Sequence, residues 1–445
     1  MNVGMHAILT FREVEAEGPA HRPLDFPPPQ VRRGVKVTAL VVHPETGRRD
    51  ILPNVIHRAS YLPENKSRGK EDVDKSSSSS RAKGKGKLST SESSASDSKA
   101  KARTTKQKQY TAYFPQRRLQ DAIYGSVWCC LVLERHYGSA ADDAARAANL
   151  EPGDPSAPIV WEITGRHVAI KMVEWARVHQ ARGRLLEDPV KEIAAMQLIG
   201  TEHPHVLGSE EVLQDDDYLY SIMPYANGGD LFGYVIRDAE KRADDGGMDE
   251  AAARYWFRQI LQGLHYLQSK GICHRDLSLE NILVDDSNSL VIDFGMCLRV
   301  PYSDSERRNC ISDVKGGNVR RLITPMGVCG KHNYMSPEIF ENRNNFDGFA
   351  VDLWAAGVIL YIMLTGFPPY DQATRADQRF EIIVEGMLVN QLREWDIHLS
   401  RDAGDLLQRM LQENPRDRLS LAQVMSHPWV TNPDVLPPQS ESYYG

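Results

Sequence analysis

The stretch His274-Arg275-Asp276-Leu277-Ser278-Leu279-Glu280-Asn281, with Asp293-Phe294-Gly295 following it, constrains this chain more than any other feature. Between the two, Asn281-Ile282-Leu283-Val284-Asp285 and Ser289-Leu290-Val291-Ile292 read as short apolar strands joined by a polar Asp-Asp-Ser-Asn turn. A hairpin of this kind carries Asn281 and Asp293 into one cleft beside Asp276. Those residue types suit phosphoryl transfer, which needs an oriented hydroxyl and neutralised phosphate oxygens and little covalent chemistry from the protein. Asp276 can orient the hydroxyl; Asn281 and Asp293 can hold magnesium.

Further motifs follow in order. Val168-Ala169-Ile170-Lys171 reads as a strand ending in a lysine, and Glu192 lies in a helical pattern with Val190, Ile193, Ala194 and Met196. Downstream come Tyr334-Met335-Ser336-Pro337-Glu338, then Asp352-Leu353-Trp354 with Gly357, and Arg418. Singly, Asp276 is a turn residue, Lys171 a strand-edge lysine and Glu192 one charge on a helix face. Jointly, and in this order, they resemble the eukaryotic protein kinases, serine/threonine type, over roughly seven-tenths of the chain, from about Leu119 to Val430. The helical part is most similar to the calcium/calmodulin-dependent and AMP-activated kinases.

The resemblance implies an α+β, two-lobed fold with a small antiparallel β-sheet lobe plus one helix and a larger, mainly helical lobe. It implies ATP and Mg2+ as cofactors, with Asn281 and Asp293 on the metal. Lys171, held by Glu192, would grip the ATP phosphates, and Asp276 would act on the substrate hydroxyl. Met223 would limit the depth of the nucleotide pocket, the backbone near Tyr225 and Ala226 would bond adenine, and Ala169 and Leu283 would sandwich its ring. Asp230 would meet ribose or a basic substrate residue, and Glu280, Gly125 and Val127 complete the expected nucleotide-binding set. Arg418 would pair with Glu338.

Three positions depart from the family. Gln120 and Ala122 stand where the phosphate-covering loop carries its first two glycines, leaving Gly125, so weaker ATP binding is expected. Ser278 stands where a catalytic-loop lysine is usual, and Lys331 where the facing threonine is usual. A positive charge arriving from the opposite side serves nearly as well if its ammonium comes within about 4 Å. Lys331 is therefore a candidate catalytic residue beside Asp276 and Lys171. The expected activity is that of a magnesium-dependent protein serine/threonine kinase; the alternative, suggested by the sparse glycine loop and Ser278, is a pseudokinase acting as a nucleotide-binding or interaction scaffold.

Organisation follows composition. Residues 1–64 form an N-terminal extension with one alternating stretch, 35–42, that suits a strand. Residues 65–109 hold 13 Lys/Arg against 5 Asp/Glu, little to bury, and read as a disordered linker. The kinase-like domain is expected at 117–430, with a small lobe at 117–226 that contains an insertion at about 134–160, a large lobe at 227–430 and a polar tail at 431–445. Ala140–Ala148 suits a short surface helix, and Ile123, Val127, Leu131 and Leu133 suggest paired strands with one buried face.

A net charge of −7 argues against a generally nucleic-acid-binding surface. The apolar run Val358–Leu364 is too short to cross a bilayer and suits a buried helix. Six cysteines (Cys129, Cys130, Cys273, Cys297, Cys310 and Cys329) lack zinc or disulfide spacing, which implies a reducing interior, cytoplasmic or nuclear; Cys329 is a site where oxidation could matter. Expected partners are ATP and protein substrates, with no membrane and no specific nucleic acid, for a monomer under a possible upstream kinase. Arg275 suits a contact with a phosphorylated segment, for which Thr324 is the nearest candidate and Ser303, Ser305 and Ser312 are others.

Overall fold

β-Branched and aromatic residues crowd the strands before residue 225, and alanine- and leucine-rich helices dominate after it, so the chain changes structural type once along its length. The computed structural model describes residues 22–61, 110–135, 160–181, 186–242, 247–301 and 320–438. The linker at 65–109, the 140–148 helix, most of the 134–160 insertion, Cys310, Ser303, Ser305 and Ser312 lie outside the described residues.

Strands β1 (Arg32–Val42), β2 (Arg49–Arg58), β3 (Tyr110–Ala122), β4 (Gly125–Arg135) and β5 (Val160–Glu174) precede helices α1 (Trp175–Ala181) and α2 (Pro189–Ile199). Strands β6 (Glu211–Gln214) and β7 (Tyr218–Pro224) lead into α3 (Leu231–Arg242) and α4 (Glu250–Ser269). Four short strands follow: β8 (Ile272–Cys273), β9 (Ile282–Asp285), β10 (Asn288–Val291) and β11 (Leu298–Arg299). Helix α5 (Pro337–Glu341) then leads to α6 (Gly348–Thr365), with α7 (Gln378–Val384), α8 (Leu388–Glu394), α9 (Arg401–Met410), α10 (Leu421–Met425) and α11 (Pro428–Thr431) completing the described elements.

The chain divides into two packing units. The first comprises 1–35, 114–132 and 165–445, so residues 22–35 of the N-terminal extension pack with it. In it β5 runs antiparallel to β7, setting Ala169 opposite Met223 and Lys171 opposite Ser221, and β7 runs antiparallel to β6. Arg32 and Arg33 join β6 in parallel, opposite Leu213 and Gln214, a pairing that the antiparallel expectation did not contain. Helix α2 starts where Asp188 caps it: the carboxylate accepts from the N–H groups of Val190 and Lys191 at 2.9 and 3.2 Å, with Pro189 at the first position.

The core of this unit is built around α4 and α6, with Trp256, Phe257, Trp354 and Trp429 fully buried. Helix α6 is longer than the apolar run visible in sequence. Its 18 residues average 1.8 in hydropathy, enough by length and composition for a membrane span, but all are buried in protein. Arg418 pairs with Glu338 at 2.9 Å and lies over the Trp354 ring at 5.0 Å, as the motif reading expects. Ile123 departs from its expected buried position: it lies in the turn between β3 and β4 and is 56% exposed, while Tyr124 beside it takes the buried side of that turn.

The second unit comprises 36–113 and 133–164. Its described part pairs Leu40–Val42 in parallel with Val160–Glu162, and Ile56 and His57 antiparallel with Tyr113 and Ala112. The alternating stretch at 35–42 is thus a strand, and Val42 and Val160 pack on each other with Leu40 beside them.

Candidate active site

Strands β9 and β10 form the expected antiparallel hairpin, with Ile282 opposite Val291 and Asp285 opposite Asn288. The Ile292 N–H donates to the Asn281 carbonyl at 2.9 Å, which ties the residue before Asp293 to Asn281. The hairpin therefore holds both proposed metal ligands by its own closure. Asn281 also turns its amide to Asp276, donating to its carbonyl at 2.7 Å and to Oδ2 at 3.1 Å. With the amide nitrogen so used, the Asn281 side-chain oxygen Oδ1 is left as the donor toward a metal; together with the exposed carboxylate of Asp293 it gives a hard-oxygen set suited to magnesium.

The loop before the hairpin is fixed from below. Asp352, wholly buried at the start of α6, accepts from the N–H groups of His274 and Arg275 at 2.7 and 2.8 Å; burial pushes its carboxyl up to about 6 against those two donors. Arg275 and Asp293 adopt left-handed backbone angles, φ 67° and 66°, uncommon for residues with side chains and held here by surrounding bonds. Phe294 is buried with its ring 5.1 Å from that of His274, and the His274 imidazole bonds the Ile292 carbonyl at 2.9 Å. Asp276 is thus aimed while its Oδ1 stays buried and, among the described residues, without a hydrogen-bond partner. Burial holds the Asp276 carboxyl above the usual carboxylate range; His274 and Lys331 pull it down, and Asp293 pushes it up.

Lys171 and Glu192 meet as the sequence predicts: Nζ donates to the two carboxylate oxygens at 2.7 and 2.6 Å, with both side chains almost fully buried. Burial opposes the Lys171 charge, but Glu192 outweighs it and, with Asp293 and Glu187, holds the ammonium above its ordinary range. Nearby, Ala169 and Met223 are buried, while Leu283, Tyr225 and Ala226 are half-buried. Val127 packs against the main core. Asp230 is engaged locally: its carboxylate accepts from the Gly233 N–H at 2.7 Å and caps α3. The Tyr225 hydroxyl accepts from Arg117 at 3.0 Å.

The two exchanged residues do face each other. Lys331 Nζ donates to Ser278 Oγ at 2.7 Å and lies 3.6 Å from Glu280, so Glu280 stands with the exchanged lysine. Arg275 is buried. Its guanidinium donates to the carbonyls of Met296 and Gly327 at 3.4 Å and lies over the Phe346 ring. The Thr324 hydroxyl contacts the Met326 sulfur at 3.9 Å. Cys329 is buried, with its thiol pushed up by that burial, an environment that disfavours the reactive thiolate.

The covering hairpin departs most from expectation. Gln120 and Ala122 end the regular strand β3, Ile123 and Tyr124 make the turn, and Gly125 opens β4. A Cβ on Gly125 would lie 1.9 Å from the Met172 carbonyl oxygen, so sheet packing alone demands this glycine. Tyr124 is buried with Val173 and Ile193, and its hydroxyl donates to the Glu187 carbonyl at 2.8 Å. Glu187 escaped the sequence reading. Its side chain would meet a Cβ on Gly295 at 2.8 Å, and burial raises its carboxyl while Lys171 lowers it and Glu192, Asp293 and Asp276 raise it. An acidic residue just before an N-cap carries no motif signal that sets it apart from a solvated one.

The family model described as the protein kinase domain matches residues 159–430, more than half of the chain. CBL-interacting protein kinase 17 of Oryza sativa subsp. japonica is 33% identical over 269 residues, covering 60% of this chain and 51% of that protein. CBL-interacting serine/threonine-protein kinase 16 of Arabidopsis thaliana is 32% identical over 268 residues, covering 60% and 51%. A probable serine/threonine-protein kinase of Dictyostelium discoideum is 33% identical over 240 residues, covering 54% and 25%. The chain spans about half the length of the plant relatives it matches. The family match begins after the covering hairpin, on the far side of the insertion.

Proposed function

The chain belongs to the protein kinase family, and from that premise we propose that it transfers the γ-phosphate of ATP to serine and threonine hydroxyls of proteins, with magnesium. The observation that carries this reading is the buried, unpartnered Oδ1 of Asp276, a carboxylate oxygen aimed by Asn281 and left to accept a substrate hydroxyl. Lys171, fixed by Glu192, orients the ATP phosphates. Asn281 and Asp293 would hold the metal, which supplies neutralising charge at the phosphate oxygens when bound.

Lys331 takes the part of the absent catalytic-loop lysine. Its bond to Ser278 puts the ammonium where a Ser278→Lys side chain would begin, and its charge favours ionised Asp276. Nothing comparable favours the pseudokinase reading, since Lys171, Glu192, Asp276, Asn281 and Asp293 are all present and the described pairs are formed. The test is thermal stabilisation by ATP with and without magnesium. The parent chain should show a magnesium-dependent shift that Asp293→Ala loses; the same shift in both would remove Asp293 from the metal site.

A further inference from the structure

Residues 22–33 precede every kinase motif, yet they run along α2, which carries Glu192, and along β11, which follows Asp293-Phe294-Gly295. The Leu24 N–H donates to the Arg299 carbonyl at 3.0 Å, and the Arg299 guanidinium donates back to the Asp25 carbonyl at 2.5 Å. Arg299 ends β11, the short strand that follows Asp293-Phe294-Gly295. Phe26 packs against the main core. The Gln30 N–H then donates to Gln197 Oε1 at 2.7 Å, and Gln197 Nε2 donates back to the Gln30 carbonyl at 2.8 Å. Gln197 lies on α2, the helix that carries Glu192. Beyond it, Val31 packs with the group that includes Ile193 of α2, and Arg32 joins β6 with its guanidinium 3.4 Å from Glu211.

Two features make this segment more than a covering. Between its anchors it reads Pro27-Pro28-Pro29, whose fixed backbone angles make a semi-rigid spacer that loses little entropy on ordering. The Gln197 side chain also pairs with a backbone N–H and C=O at once, so it locks the helix to the segment in both position and rotation. Asp188 caps the helix at its start, but that cap binds only the helix's own backbone, so the reciprocal amide pair is a separate tie near the other end. A turn of α2 about its axis would swing Glu192 away from Lys171.

We infer that residues 22–33 are a positioning strap that holds α2 in the rotation at which Glu192 meets Lys171, with Gln197 and Phe26 as its positioning residues. The inference rests on the kinase reading above. It is tested in the full chain with Gln197→Met, which keeps bulk but removes both bonds, and with Phe26→Ala. Each should lower kcat/KM for ATP about tenfold, the loss expected when an orienting hydrogen-bond pair is removed. In a Glu192→Gln background the same changes should cost less than about twofold, because the strap acts through a contact already lost. Equal losses in both backgrounds, or no loss in either, overturn the strap. Amide hydrogen exchange of residues 189–199 separates this from failure of the kinase reading: both variants should speed exchange there whether or not the parent phosphorylates a peptide, and unchanged exchange overturns the strap even if the parent is active.

Discussion

The catalytic loop and the covering hairpin are held by different forces, and their sequences diverge from the family accordingly. In the loop, each retained residue is fixed by a specific partner: Asp352 under His274 and Arg275, Asn281 on Asp276, Ile292 on Asn281. Ser278 there is met by a specific partner too, the Lys331 ammonium at 2.7 Å. The hairpin is held by sheet packing. Gly125 is required by the Met172 carbonyl and Tyr124 by a buried apolar group, while Gln120 and Ala122 sit in ordinary strand.

Graded substitutions in the loop and in the hairpin separate the two regions. The largest effect is expected at Asp276: Asp276→Asn should lower turnover by roughly a thousandfold while ATP binding, read by thermal shift, is retained. Next, Lys331→Met should slow kcat about a hundredfold with little change in KM for ATP, and Ser278→Lys with Lys331→Thr should recover part of it. The same variant has a pH signature. Burial raises the Asp276 carboxyl and Lys331 lowers it, so activity is lost as pH falls through that value; removing Lys331 should move this acid limb of kcat to higher pH. An unmoved limb would separate Lys331 from Asp276.

Smaller effects fall on the hairpin. Gly125→Ala should destabilise the chain by about 1–3 kcal/mol in urea unfolding, because its Cβ meets backbone rather than a movable side chain. Ala122→Gly should lower KM for ATP by only about twofold, through closer backbone approach. If Ala122→Gly raises activity as strongly as Lys331→Met lowers it, the two regions do not differ as argued.

The site was legible in sequence wherever function depends on residue identity at fixed spacing. Asn281 and Asp293 flanking one hairpin, Asp276 in the loop before it, and Lys171 facing Glu192 follow from motif and period alone. What escaped depends on backbone and distance. Gln30 meets Gln197 across 167 positions through a main-chain N–H and C=O, which no residue type announces. Arg275 is recognised in sequence by its place beside Asp276, but its contacts at 3.4 Å with the Met296 and Gly327 carbonyls are not. Ile123 is apolar, yet Tyr124 beside it takes the buried side of the turn and leaves it exposed.

The most direct measurement is transfer from γ-labelled ATP to a degenerate peptide library by the full chain, in parallel with Asp276→Asn. The account predicts magnesium-dependent label on serine and threonine with the parent and almost none with the variant. Label absent from both, in a chain that binds ATP, would contradict it; equal label with both would remove Asp276 from the chemistry.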